Sequence, residues 1–461
     1  MNSPIGLLRI TQLAAPKLRA KAGHTALITL LALSTAHAQQ TNTNTTSPID
    51  LPTVLRLVNA RNLDVLLARS RLTEARANHD SAVEKFFPWV TPGFGYKRHD
   101  GRIQDVGGQI FDADKQSYTA GGVFAAQLDL GDAIYQSLAA KQQEHAADYA
   151  LESQRQESTL VAALGYHELA NARALVEVVR EALNLSADYQ GQLREAVGAG
   201  IAFKGDELRV QVQTERYQVA LRQAMERQRL VAARLAETLH LDATVELVPE
   251  STEIVPLSLV ETNSPLDSLV KQALKSRPEL KENQAVIAAA RDSKNGARYG
   301  PLIPSVGAQA FLGGLGGGKE GDTGHFASSE DYAITLGWRI GPGGLFDAGR
   351  SRSTAAQWET AKLAGARLED VITRQVVEGH TRVHSLLDQL GTARQTLQTA
   401  SETLRLTSER KQFGVGAVLE DIQAQQELTR ARADFLNAVT DYNKAQWNLN
   451  RAVGSVTAEK P

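Results

Sequence analysis

Residues 383–404 read VHSLLDQLGTARQTLQTASETL. Val383, Leu390, Leu397 and Leu404 recur every seventh position, and Leu386, Ala393 and Ala400 fall three residues after the first three. This is the a/d seam of helices that pack on other helices. The seam lies in a proline-free stretch, Arg350 to Phe413, that has a counterpart from Asp132 to Val197. The counterpart carries Leu169, Val176 and Leu183, with Ala172, Val179 and Leu193 on the companion row. Each stretch is about 65 residues long, so a continuous helix would reach about 100 Å at about 1.5 Å per residue. That is about three times the hydrocarbon thickness of a bilayer.

Both rods end at paired glycines, Val197-Gly198-Ala199-Gly200 and Phe413-Gly414-Val415-Gly416. Two glycines so close terminate a helix and turn the chain. Return helices follow, from Asp206 to about Leu241 and again after the second turn. Upstream of each rod the pattern also repeats. Asp50 caps a helix with Pro52 in its first turn, which runs to about Phe87 before Pro88; a second opens at Pro265, contains Arg277-Pro278-Glu279-Leu280, and ends before Pro304.

Two strands follow each of these helices. Val90, Phe94 and Tyr96 share one parity against Thr91, Gly93, Gly95 and Lys97; Tyr118, Ala120, Gly122, Phe124, Ala126 and Leu128 alternate with Thr119, Gly121, Gln127 and Asp129. Residues 99–116 read as a loop between them. In the second half Val306, Ala308, Ala310 and Leu312 precede a glycine-rich loop at 313–324. Tyr332, Ile334, Leu336, Trp338 and Ile340 then alternate with Ala333, Thr335, Gly337 and Arg339. The expected domains are a signal at 1–38, a first repeat at 39–264, a second at 265–461, and a connector at about 242–265. The period of about 215 residues is that of a duplication; a solenoid repeats every 20–50.

The first 38 residues carry Arg9, Lys17, Arg19 and Lys21 without an acid, an apolar run Ala26 to Leu33, and Ala36-His37-Ala38 before Gln39. This is a secretory signal with an A-x-A cleavage site. Its removal would shift the formal charge from −2 to −6, so nucleic acid is not an expected partner. Cysteine is absent, which excludes disulfides, thiol nucleophiles and an N-terminal cysteine lipid anchor.

Four strands of about 9–10 residues have the length that crosses a membrane when tilted, with one apolar face and one small or polar face. Four strands do not close a barrel, since the smallest have about eight. Closure needs several chains, two for eight strands or three for twelve. Two soluble hairpins packed on helices would show the same alternation.

The ordered set resembles the TolC family of outer-membrane efflux proteins. It comprises the duplication, Arg277-Pro278-Glu279-Leu280, Leu345-Phe346-Asp347-Ala348-Gly349-Arg350, the two glycine turns, and Asp421-Ile422-Gln423-Ala424-Gln425. The resemblance implies a mainly α chain with a small β part, assembling as a homotrimer. Its twelve-stranded barrel would sit in outer-membrane lipid, with an α-helical tunnel crossing the periplasm. It implies a passive exit duct of a tripartite efflux or type I secretion system, working with an inner-membrane pump and a periplasmic adaptor. Val197, Gly198, Ala199, Gly200, Phe413, Gly414, Val415 and Gly416 would be the adaptor-docking tip, and Asp206 and Asp421 the entrance gate. Ala417-Val418-Leu419 stands where some members carry a basic residue, so a charge latch would need Lys204, Arg410 or Lys411. Asp206 and Asp421 also suit N-capping of the return helices.

No catalytic constellation and no cofactor motif is expected. His380 and His384 lie at i, i+4, but Thr381 stands where a metalloprotease would carry Glu. With no third ligand in the pattern, they read as solvated rod histidines and no metal site is expected. The glycine run 313–318 does not lead into a helix, so it is no phosphate cradle. A soluble periplasmic coiled-coil adaptor or scaffold, or a secreted enzyme with helical arms, would share the rods.

Overall fold

The computed structural model describes residues 46–242, 244–251, 253–319, 324–412 and 418–455. The signal expected at 1–38 and the second glycine turn, Phe413 to Gly416, lie outside them. In chain order the first half has β1 (Thr46–Ile49), α1 (Leu51–Arg61), α2 (Leu63–Glu84), β2 (Trp89–His99), β3 (Arg102–Gln104) and β4 (Ile110–Asp112). β5 (Lys115–Leu128), α3 (Leu130–Gly198), α4 (Lys204–Thr238) and β6 (Glu246–Pro249) complete it. The second half has α5 (Leu266–Ser276), α6 (Pro278–Tyr299), β7 (Ser305–Lys319), β8 (Ala327–Gly337), α7 (Ala348–Gln412) and α8 (Val418–Val453).

The two rods are present as unbroken helices of 69 and 65 residues, about 100 Å each. Helix lengths recur between the halves: 11, 22, 69 and 35 residues, then 11, 22, 65 and 36.

Each helix expected upstream of a rod is two helices. Asn62 ends α1 and caps α2, accepting from the Asp64 and Val65 amides at 3.0 and 3.2 Å. Its amide group donates to the Thr238 carbonyl at 2.8 Å, so the break is pinned to the end of α4. In the second half Pro278 begins α6, where its missing N–H costs nothing.

The rods pack through the expected seam, but unevenly along their length. Val383, Leu386 and Leu390 are buried with Ile372, Val376, Tyr442 and Leu449 in the core of the second half. Leu397 and Leu404 are only partly buried against Ala400, Leu428 and Ala431. In the first half Leu169, Leu235, Leu239 and Leu247 form a core with Val54 and Val58. β6 closes it by pairing in parallel with β1. β6, Glu246–Pro249, thus lies within the expected connector at about 242–265.

The strands form one antiparallel sheet in the order β2-β5-β7-β8. Register places Phe94 opposite Ala120, Phe124 opposite Ala310, and Ala308 opposite Ile334. Val90, Phe94, Tyr332, Ile334 and Leu336 are exposed, Ile334 by 83%, so an apolar face lies open across the sheet.

The loops differ from expectation. β3 and β4 pair inside the segment read as loop. The glycine run continues β7 through Gly318. A Cβ on Gly313 would meet the Ala120 carbonyl oxygen at 2.4 Å, so β5 and β7 approach through bare backbone. The rings of Phe326 and Tyr118 lie over Gly314 and Gly316 and stack on each other at 5.8 Å. They supply the apolar cover that glycines lack. Trp338 and Ile340 lie beyond β8; the indole donates to the Leu302 carbonyl at 3.1 Å, and Ile340 bridges Leu345.

Below the sheet the rods are tied together. Arg350 donates to both Asp132 oxygens at 2.8 and 3.2 Å, linking the starts of α3 and α7. Asp347 accepts from the Arg350 and Gly343 amides at 2.9 Å each. Gly131 faces the Gly300 carbonyl so closely that any Cβ would overlap it.

Candidate functional site

At the far end of α3 the chain turns by a Schellman motif. The Ile201 amide donates to the Ala196 carbonyl at 2.9 Å and the Gly200 amide to the Val197 carbonyl at 3.0 Å. Gly200 takes φ +74°, which a side chain would strain. Val197 is half-buried, while Gly198, Ala199 and Gly200 are exposed. Just past them Ile201 and Phe203 are 82% and 72% exposed. Sequence reasoning passed over these two; the signal was two large apolar residues flanking Ala202 immediately after a glycine turn.

Beneath the turn, Tyr189, Leu193, Val210 and Ile422 form a small core shared by α3, α4 and α8. Asp206 and Asp421 converge on it. Burial pushes the Tyr189 hydroxyl up to about 12, and the charges of Asp421 and then Asp206 add to the shift. Neither acid is an N-cap. Phe203 precedes α4, with Asp206 three residues into the helix, and Asp421 is the fourth residue of α8. Both sit in first turns, where the helix dipole favours negative charge. Asp421 is 2% exposed, and Gln425 donates to it at 3.3 Å. Asp206 accepts from Arg209 at 3.1 Å.

The substitutes considered for a charge latch go elsewhere. Lys204 pairs with buried Glu207, which Arg194 also approaches at 3.8 Å. Arg410 donates to Glu420 at 3.3 Å; the Lys411 side chain lies outside the described residues. Gln426 donates to Gln213 across the two hairpins. Tyr189 and Glu207 were missed because no spacing marks a single aromatic or acid in a helix this long.

A second polar cluster lies where the end of α8 meets the start of α6. Arg277 donates to both Glu279 oxygens at 3.0 and 3.1 Å, and Arg451 donates to the same carboxylate. Arg277 also reaches the Arg451 and Ala452 carbonyls at 3.3 Å each, covering the last turn of α8. Burial alone would raise the Glu279 carboxyl, but the Arg451 and Arg277 charges overcome it and hold it near 2. Beside the cluster is a cavity of about 660 Å³, lined also by Glu378, Arg382 and Asp441.

Nearby, the buried Trp447 indole donates to His167 Nε2 at 3.2 Å. Burial, then the Lys444 charge, lowers His167 to about 4. Unfolded histidine titrates near 6.5, so between about pH 6.5 and 4 the unfolded chain binds the extra proton. The stability contribution is complete above about 6.5 and is lost as pH falls towards 4. At pH 4.5 this loss is expected to be about 2–3 kcal/mol. His167→Gln keeps an acceptor and removes the titration, so its denaturation midpoint is expected to shift less between pH 7.5 and 4.5.

Residues 269–455 match the family model for outer membrane efflux protein. The chain carries an outer membrane efflux protein domain. Nodulation protein T of Rhizobium leguminosarum bv. trifolii is 25% identical over 197 residues, 40% of this chain and 38% of that protein. Solved structures share the fold over nearly the whole chain. A membrane protein from Pseudomonas aeruginosa superposes with a TM-score of 0.74 at 20% identity, covering 88% of this chain and 93% of its own. The Campylobacter jejuni CmeC outer membrane channel gives 0.75 at 16% identity, covering 97% and 96%. The outer membrane protein VceC of Vibrio cholerae gives 0.70 at 18%, covering 88% and 96%. The efflux domain thus sits in a mainly helical chain with a small sheet part, the fold of known outer-membrane channels.

Proposed function

We propose that three copies of this chain form an outer-membrane duct that carries cargo from the periplasm to the exterior, working with an inner-membrane pump and a periplasmic adaptor. The observation that carries this reading is the exposed apolar face of a four-stranded sheet joined to helices about 100 Å long. Backbone edges at β2 and β8 run in opposite directions, because four antiparallel strands alternate. β8 of one copy can therefore pair antiparallel with β2 of the next, and the ring closes without an edge. Twelve strands result from three copies. The recurring helix lengths support descent of the two halves from one duplicated unit.

In this arrangement the turn at Val197 to Gly200, with Ile201 and Phe203, faces the adaptor. The second turn, Phe413 to Gly416, is proposed to do the same. Asp206 and Asp421 belong to the entrance, closed by the contact around Tyr189. An exit duct needs no chemistry of its own, and no catalytic role is assigned to any residue.

Two measurements test this. Membrane fractionation should place the chain in the outer membrane and require detergent for extraction; release by osmotic shock would support a soluble scaffold instead. Single-channel recordings test the gate. Asp421 is buried in the closed contact, so its charge reaches the pore when the hairpins part; three such carboxylates around a threefold axis would then repel one another and attract cations, most strongly multivalent ones. Asp421→Asn keeps the size and an oxygen, so cation selectivity and multivalent block are expected to weaken. Recordings matching the parent would make Asp421 a packing residue of the hairpin contact only.

A further inference from the structure

His380 and His384 stand one turn apart on α7, both half-buried. Their Nε2 atoms are 3.2 Å apart while their ring centroids are 4.4 Å apart, so the nitrogen tips converge. Nitrogens bound at about 2.0–2.1 Å to one ion lie about 2.9 Å apart at a right angle and about 3.4 Å apart at the tetrahedral angle. The observed separation falls between these, so the two rings already stand at the spacing of adjacent ligands.

The Ser264 backbone lies against His380. Ser264 ends the connector before α5, so the pair lies where the connector meets α7.

We propose that His380 and His384 together hold one first-row divalent transition-metal ion, with water completing its shell. Among the described residues no group of three or more His, Asp or Glu could hold a metal, so the site is two-imidazole and open. Imidazole donors select Cu²⁺, Ni²⁺ and Zn²⁺ and discriminate against Mg²⁺ and Ca²⁺, with Cu²⁺ tightest. The sequence concealed the site because two histidines at i, i+4 do not show whether their side chains converge.

The same 3.2 Å also suits a hydrogen bond between two neutral rings, and the experiment separates the two. The full chain, free of affinity tags and stripped with a chelator, is titrated in detergent with Cu²⁺ and followed by electron paramagnetic resonance. One ion per chain with hyperfine splitting from two imidazole nitrogens is expected. His384→Gln and His380→Gln should each weaken binding at least tenfold and remove one nitrogen from the pattern. His79→Gln, whose ring pairs with Glu144 at 2.9 Å, should change neither. Zn²⁺ should raise the melting temperature of the parent and not of His384→Gln. Absence of Cu²⁺ binding, or equal binding and spectra in parent and both variants, overturns the proposal.

Discussion

Glu279→Gln is expected to destabilise the chain by about 3–5 kcal/mol, the usual cost of removing one partner from a buried ionic cluster. The substitution changes little in size. It leaves Arg277 and Arg451, each 6% exposed, facing each other without the carboxylate between them. Arg451 keeps Glu157 at 3.5 Å, but that carboxylate is half exposed and compensates only in part. Lost with the charge is the fixed position of Arg277 over the last carbonyls of α8. Urea denaturation followed by circular dichroism measures the loss. The double variant Glu279→Leu with Arg451→Leu should lose less than the two single changes summed, since it removes charges in a pair. A Glu279→Gln loss under 1 kcal/mol would mean that water, not Glu279, compensates the arginines. Glu279 is held near 2 against an ordinary value of about 4.5. Its contribution is complete above about pH 4.5 and disappears as pH falls towards 2.

Glu279 also shows what a sequence discloses and what it does not. Arg277-Pro278-Glu279-Leu280 was visible as a motif, and Pro278 explains the helix start. Its partner Arg451 lies more than 170 residues away, and no periodicity connects them. The rods were legible because a seven-residue repeat persists over several turns and no proline interrupts it. The Schellman turn was legible because glycine at φ > 0 leaves a local signature. Asn62 was not legible as a break, since its cap acts together with a bond to Thr238 far along the chain. The β7 glycines misled because the aromatic cover they need comes from Tyr118 and Phe326 on other segments. Asp206 and Asp421 were singled out by resemblance, and the structure brings both to Tyr189. What brings them together is a three-helix contact, a property of the fold that no single segment contains.

Leu336→Arg is expected to impair assembly, by less than the cost of about 2–4 kcal/mol at a bilayer-midplane site, because Leu336 is the penultimate residue of β8. The neighbouring Thr335→Arg should be tolerated. Successive β8 side chains point to opposite faces. Leu336 is paired with Val306, and Val306 with Leu128 on β5, so an apolar row crosses three strands. Thr335 instead pairs with Gly307, where no side chain competes for space. The single chain leaves Leu336 63% exposed. Were that face in water, a charge there would fall within about ±0.5 kcal/mol, as surface substitutions usually do. In lipid the guanidinium loses its hydration and finds no partner on the row. The contrast between the two variants thus separates a lipid-facing sheet from a hydrated one by the size of the effect. The measurement is the yield of heat-resistant oligomer in the outer-membrane fraction, compared at equal expression. A sharp fall for Leu336→Arg with parental yield for Thr335→Arg fits the barrel. Equal loss from both, or none from either, would remove the sheet from the membrane and with it the proposed duct.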